Sequence, residues 1–149
     1  AIIIRTSWLY SEFKNNFVKT MLSLGKANNE LKIVCDEVGT PTYATDISNV
    51  ILKIIKNPIF LKLNQMSKLY HFSGLGHCSW LEFADEIVKI ANIKCKTLPI
   101  NSEDYFSNAK RPRYSVLDST KISKYYDIKP KNWTESLEIC INEINKTHE

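Results

Sequence analysis

The chain has 149 residues, 44% hydrophobic and 24% charged, with a net charge of +4 at pH 7; that suffices for one domain with a real core and is ordinary for a globular protein. No apolar run approaches the ~18 residues of a membrane span. The opening isoleucines lack the basic flank and small-residue cleavage site of a signal peptide, so a membrane partner is not expected.

In chain order, Ile2-Ile3-Ile4 reads as a strand buried on both faces of a parallel sheet. Arg5-Thr6-Ser7-Trp8 follows at its carboxyl end, where open α/β sheets bind their ligands. A helix is expected from about Asn16, with Phe17, Val18, Met21 and Leu22 as its apolar stripe and Gly25 as its C-cap. Leu31–Cys35 reads as a strand, and Gly39-Thr40-Pro41-Thr42 breaks regular structure. The next helix starts near Thr45-Asp46, with Thr42 and Asp46 as capping candidates. Ile47, Val50, Ile51, Ile54 and Ile55 form its buried face, and Asn57-Pro58 stops it.

Leu69–Phe72 reads as a short strand ended by Ser73-Gly74. Ser79 and Glu82 have capping-box spacing and open a helix that buries Phe83, Ala84, Ile87, Val88 and Ala91. Lys96–Ile100 fits an edge strand, where Pro99 is tolerated. Residues 101–118 read as irregular, followed by a short helix over Ser119–Tyr125. A last helix spans Trp133–Lys146, with Asn132 and Glu135 placed to cap it and Leu137, Cys140, Ile141 and Ile144 facing inward. Helices alternating with short strands give the class α/β, and no linker divides residues 1–149, which are taken as a single unit.

Several motifs invite a chemical reading and fail on their context. Tyr10-x-x-x-Lys14 and Tyr125-x-x-x-Lys129 share the spacing of a dehydrogenase proton-donor pair, but the first falls in a loop and the second ends at a proline. Gly74-Leu75-Gly76 lacks the third glycine of a dinucleotide fingerprint, so it reads as a strand-to-helix turn. His71, His77 and Cys78 show no zinc spacing, so no metal is expected. Cys35, Cys78, Cys95 and Cys140 are widely spread without C-x-x-C, the pattern of reduced cytoplasmic thiols.

The charge is carried by 17 Lys and three Arg against 16 acids. Two of the arginines sit in Lys110-Arg111-Pro112-Arg113, and the third is Arg5. Arginine offers a planar fork that matches phosphate. Two such places suit one phosphorylated ligand better than a polyanion track, so nucleic acid is not the expected partner. A small basic nucleic-acid-binding protein is the rival reading, and it requires affinity that falls steeply with salt.

The ordered blocks RTSWLY, NFVKTML, DEVGTPTYATDIS, YHFSGLGHCSWLEFADEI and AKRPRYSVLDSTKI resemble the dTDP-4-dehydrorhamnose reductases, of the extended short-chain dehydrogenase/reductase family. The resemblance covers essentially the whole chain; one departure is Lys14, where the family usually carries glycine. It implies the C-terminal portion of a Rossmann-like fold, its last sheet strands plus the substrate-binding region. The implied parent enzyme reduces dTDP-4-dehydro-6-deoxy-L-mannose to dTDP-L-rhamnose, a nucleotide sugar for cell-surface polysaccharide such as lipopolysaccharide.

The same resemblance implies NADPH (or NADH) held mainly by a preceding half, which carries the glycine-rich turn and the catalytic Tyr and Lys. No catalytic residue is then expected here, and this half alone should be inactive. Thr6 and Ser7 fall beside the nicotinamide. Arg5, Trp8, Asn16, Phe17 and Arg111 fall on the dTDP-sugar side, with Arg111 toward the diphosphate and the role of Arg113 open. Asn16 reads equally as a helix N-cap. The alternative within the same fold is a non-catalytic regulatory subunit, as for methionine adenosyltransferase. Ile2, Ile3 and Ile4 would lack sheet neighbours in the half alone, which favours a homodimer.

Overall fold

The computed structural model describes residues 1–58, 68–105 and 111–146. Strand β1 (Ile2–Arg5) pairs in parallel with β6 (Lys68–His71), with Ile4 opposite Tyr70. Strand β3 (Glu30–Val34) pairs in parallel with β8 (Lys96–Ile100), with Ile33 opposite Pro99. Two short pairs join these ladders. Strand β2 (Leu9–Tyr10) runs parallel to β5 (Thr42–Tyr43), and β4 (Val38–Gly39) runs antiparallel to β7 (Cys78–Ser79).

The helices are α1 (Phe17–Ala27), α2 (Ala44–Lys56), α3 (Trp80–Ile90), α4 (Thr120–Tyr126) and α5 (Trp133–Lys146). The expected capping box at α3 is complete: the Ser79 amide donates to the Glu82 carboxylate at 2.6 Å, and the Glu82 amide to the Ser79 hydroxyl at 3.1 Å. At α5, Asn132 caps through its carbonyl oxygen, which accepts from the Thr134 amide at 3.0 Å.

Two apolar clusters hold the elements. One gathers Val18, Met21, Phe83, Ile87, Leu137 and Ile141 between α1, α3 and α5. The other gathers Val50, Ile54, Tyr70, Phe72, Ile122 and Tyr126 between α2, β6 and α4.

Four expectations are corrected. The opening isoleucines are not buried on both faces: Ile2 and Ile4 pack on the second cluster, while Ile3 is 52% exposed because nothing among the described residues covers its side. Only the Val50–Ile54 edge of α2 is buried; Ile51 and Ile55 face outward on the flank that α4 does not reach. Gly25 does not end α1. The helix continues to Ala27, and Gly25 is where α1 meets the chain after α3: a Cβ there would lie 3.3 Å from Ile93 Cγ2 and 3.6 Å from Val88 Cγ1.

Fourth, neither Thr42 nor Asp46 caps α2, whose N-cap Tyr43 makes no side-chain cap bond. Asp46 instead ties α2 to the start of α5, accepting from the Ser136 hydroxyl and, at 3.2 Å, from Lys131 Nζ. Lys110 of the basic run lies outside the described residues.

Candidate functional site

Just past the end of β3, two adjacent carboxylates, Asp36 and Glu37, turn in different directions. Asp36 accepts from both the amide and the hydroxyl of Ser102, each at 2.8 Å. Ser102 opens the 3-10 turn Ser102–Asp104 after β8. These bonds hold the Asp36 carboxyl below the usual aspartate range. Glu37 turns the other way, into the protein, where it is only 8% exposed and accepts from the Trp80 indole nitrogen at 3.1 Å.

Just beyond, the chain at Arg113 lies alongside β4. The Val38 amide donates to the Arg113 carbonyl and the Ser115 amide to the Val38 carbonyl, each at 2.8 Å. These contacts enclose a cavity of about 1000 Å³. Phe17, Thr20, Met21 and Leu24 of α1 form one wall. Leu31 to Val34 and Glu37 form the base, Trp80 the end, and Ser102, Glu103, Tyr105 and Arg111 to Arg113 the rim. Apolar and aromatic walls with a few converging polar groups are the usual make-up of a small-molecule site.

At the rim, Arg113 is paired with Glu103 at 2.7 Å, both side chains largely exposed. Arg111 lines the cavity and makes no ion pair among the described residues. Its planar fork is therefore available to an anion.

Trp8 does not line this cavity but is coupled to it. Its ring stacks on Trp80 with centroids 3.6 Å apart and planes 7° from parallel, and Phe17 closes on the other ring of the group, 4.6 Å from Trp80. The edge of Trp8 lies over Gly39, where a Cβ would come within 2.3 Å of Cε2. Trp8 also has φ of 45°. A bulky residue in the left-handed region is an outlier, held only where the surroundings over-determine it.

Of the residues expected at the site, Phe17 and Arg111 reach the cavity. Asn16 sits behind it as the N-cap of α1: its carbonyl oxygen accepts from the Lys19 amide at 3.3 Å, and its amide nitrogen donates to the Ser11 carbonyl at 2.7 Å. Arg5, Thr6 and Ser7 lie apart at the end of β1. Arg5 is exposed, and its carbonyl accepts from the Phe72 amide. Ser7 donates to the Thr40 carbonyl at 2.9 Å, whereas the Thr6 hydroxyl is buried without a partner among the described residues.

Glu37, Trp80 and Ser102 are the site residues that motif reading passes over. The signal for Glu37 is a carboxylate at the carboxyl end of a strand, the same rule that singles out Arg5 to Trp8.

Tyr10 is unsuited to proton donation. Burial pushes its phenol far above the ordinary value, and its hydroxyl has no hydrogen-bond partner among the described residues. The Gly74–Gly76 turn is structural: a Cβ at Gly74 would lie 2.7 Å from the Pro41 carbonyl, and Thr40 donates to the Gly76 carbonyl at 2.8 Å. Among the described residues no group of three or more His, Cys, Asp or Glu side chains could hold a metal, and no helix is long and apolar enough to cross a membrane.

Residues 1–146 match the family model of the RmlD substrate binding domain. The chain belongs to that family. The SpsK spore coat polysaccharide biosynthesis protein of Bacillus subtilis is 37% identical over 141 residues, covering 95% of this chain and 47% of that protein. The dTDP-4-dehydrorhamnose reductase of Aggregatibacter actinomycetemcomitans is 40% identical over 143 residues, covering 92% of this chain and 48% of that one. A solved dTDP-4-dehydrorhamnose reductase from Bacillus anthracis, in complex with NADP, superposes with a TM-score of 0.84 at 39% identity, covering 95% of this chain and 48% of that one.

This RmlD substrate binding domain thus spans about half the length of the curated relatives it matches. Its α/β fold is that of the extended short-chain, Rossmann-like dehydrogenases, as expected.

Proposed function

We propose that residues 1–149 form a single unit, the C-terminal, substrate-binding half of an NADPH-dependent dTDP-4-dehydrorhamnose reductase of the cytoplasm. The parent moves hydride from the nicotinamide to the C4 ketone of dTDP-4-dehydro-6-deoxy-L-mannose, a general acid protonates the new alkoxide, and dTDP-L-rhamnose results. The observation that carries this reading is the cavity itself: apolar and aromatic walls for a base and a deoxysugar, with the Arg111 fork, which makes no ion pair among the described residues, at the rim for the diphosphate. The strained, stacked Trp8 supplies an aromatic wall next to it. Phe17 stands in the cavity wall, and Asn16 acts from behind by fixing the start of α1.

The cofactor, when bound, supplies the hydride. In this chain Thr6 and Ser7 would meet it, at the carboxyl end of β1, where the buried Thr6 hydroxyl has no hydrogen-bond partner among the described residues, while Arg5 would serve the substrate. The proton donor and the dinucleotide turn belong to the other half, so this chain alone turns over no NADPH. The open side of β1, with Ile3 exposed, favours pairing with a second copy.

Calorimetric titration of the chain with dTDP-L-rhamnose tests the reading. Binding is expected, weakened about tenfold or more by Arg111→Ala, the usual cost of a lost charge-assisted hydrogen bond. Equal affinity in that variant, or NADPH oxidation by the chain alone on the dehydrorhamnose substrate, would overturn it.

A further inference from the structure

We propose that Glu37 is the positioning residue of the cavity: its carboxylate fixes the plane of Trp80 and, through the stacked pair, the plane of Trp8. Among the described residues Glu37 is the one carboxylate, lysine, arginine or histidine that is buried. A buried charge is costly unless it is hydrogen-bonded, so its presence calls for a local use. Its partner is the Trp80 indole N–H at 3.1 Å.

An indole has one donor only, so a single bond at that nitrogen fixes the ring's rotation about its χ2 torsion, which is otherwise broad. The backbone that carries Glu37 is tied on both sides, which restrains where its carboxylate can sit. Asp36 is held by Ser102, and the Val38 amide by the Arg113 carbonyl. Trp8 lies flat on Trp80, 7° from parallel, with its far edge stopped by Gly39. A tilt of Trp80 therefore has to tilt Trp8. Glu37 also lines the base of the cavity; the effect proposed for it runs through the two rings.

The binding arm of the test rests on the nucleotide-sugar reading, and the spectroscopic arm does not. In the 149-residue chain, Glu37→Leu keeps the volume and removes the acceptor. It is expected to lose the contribution of the Trp8–Trp80 pair to the indole band of the near-ultraviolet circular dichroism, with that of Trp133 remaining, and to bind dTDP-L-rhamnose about tenfold more weakly or worse. Glu37→Gln keeps a carbonyl acceptor for the indole and is expected to restore the band and bring affinity to within about threefold of the unmodified chain. Stability alone does not separate the readings, since Glu37→Leu leaves the indole N–H without its acceptor whatever the carboxylate does; a carboxylate that does not set the rings would leave the indole dichroism of the two variants alike.

Wild-type dichroism and affinity in Glu37→Leu would overturn the proposal. If that variant does not fold, Trp80→Phe decides instead: it keeps a ring and lacks the N–H, and an unchanged Trp8 band and affinity there would overturn the proposal equally. If the unmodified chain fails to bind dTDP-L-rhamnose, the functional reading falls, while the dichroism of the same variants still decides whether Glu37 sets the rings.

Discussion

Gly39→Ala is the sharpest probe of how the aromatic pair is seated. The Cβ it adds would lie 2.3 Å from Trp8 Cε2, 2.5 Å from Trp8 Nε1 and 2.7 Å from the Ser115 hydroxyl. Carbon atoms in contact prefer about 3.5–4.0 Å, so the ring must move by roughly an ångström. Backbone relief is closed off, because Val38 is bonded on both sides to the 113–115 segment. Overpacking of this kind costs about 1–3 kcal/mol, and losing a stacked aromatic pair adds about 0.5–1.5 kcal/mol.

The expected destabilisation is therefore about 2–4 kcal/mol in urea unfolding, with the indole dichroism lost and dTDP-L-rhamnose binding weakened. Gly25→Ala is the control. Its Cβ meets nothing nearer than 3.3 Å, and the helix gains about 0.5–1 kcal/mol from replacing glycine, so the two effects nearly cancel. A Gly39→Ala chain as stable as that control, with its indole band intact, would refute the claim that Trp8 rests on Gly39.

Lys14→Gly should raise stability by up to about 1 kcal/mol, read as a shift of the urea midpoint. Lys14 is exposed with φ of 55°, a conformation that costs an L-residue about 1–2 kcal/mol and glycine almost nothing, less the entropy glycine adds to the unfolded chain. The thiols should fall into two classes toward a thiol reagent at pH 8: Cys35 and Cys95 fast, Cys78 and Cys140 slow until the chain is unfolded. The latter pair are buried, and burial pushes each thiol up to about 12.

The Asp36–Ser102 clasp should carry an acid dependence. Because the folded-state pKa of Asp36 is depressed, its contribution is fully present above the ordinary aspartate value and disappears as pH falls through the lower folded one. Ser102→Ala should therefore narrow the gap between urea midpoints at neutral pH and in acid. An unchanged gap would exclude the clasp as its source.

Much of the fold is legible residue by residue wherever a local signal and the tertiary contact agree. Asn16, Ser79 with Glu82, and Asn132 each mark a helix start by a bond that their own short side chains make. The errors share a cause. Ile3, Ile51 and Ile55 have the periodicity of buried positions, yet periodicity reports only that a face is apolar and not what covers it. Gly25 carries the local mark of a helix end, while its real constraint is Ile93 and Val88, contacts far along the chain.

The site divides along the same line. Phe17 and Arg111 are legible through the resemblance of NFVKTML and AKRPRYSVLDSTKI to the reductase family, since an apolar helix position and a basic loop carry no site signal by themselves. Glu37 and Trp80 are not, because what they do depends on a hydrogen bond spanning 43 residues of sequence. Lys14 has φ of 55° in the loop between β2 and α1, the loop that delivers Asn16 to the helix cap and Phe17 to the cavity wall. A backbone held against its own preference is over-determined by its surroundings, and Trp8, with φ of 45° and its ring set between Trp80 and Gly39, is the stronger instance.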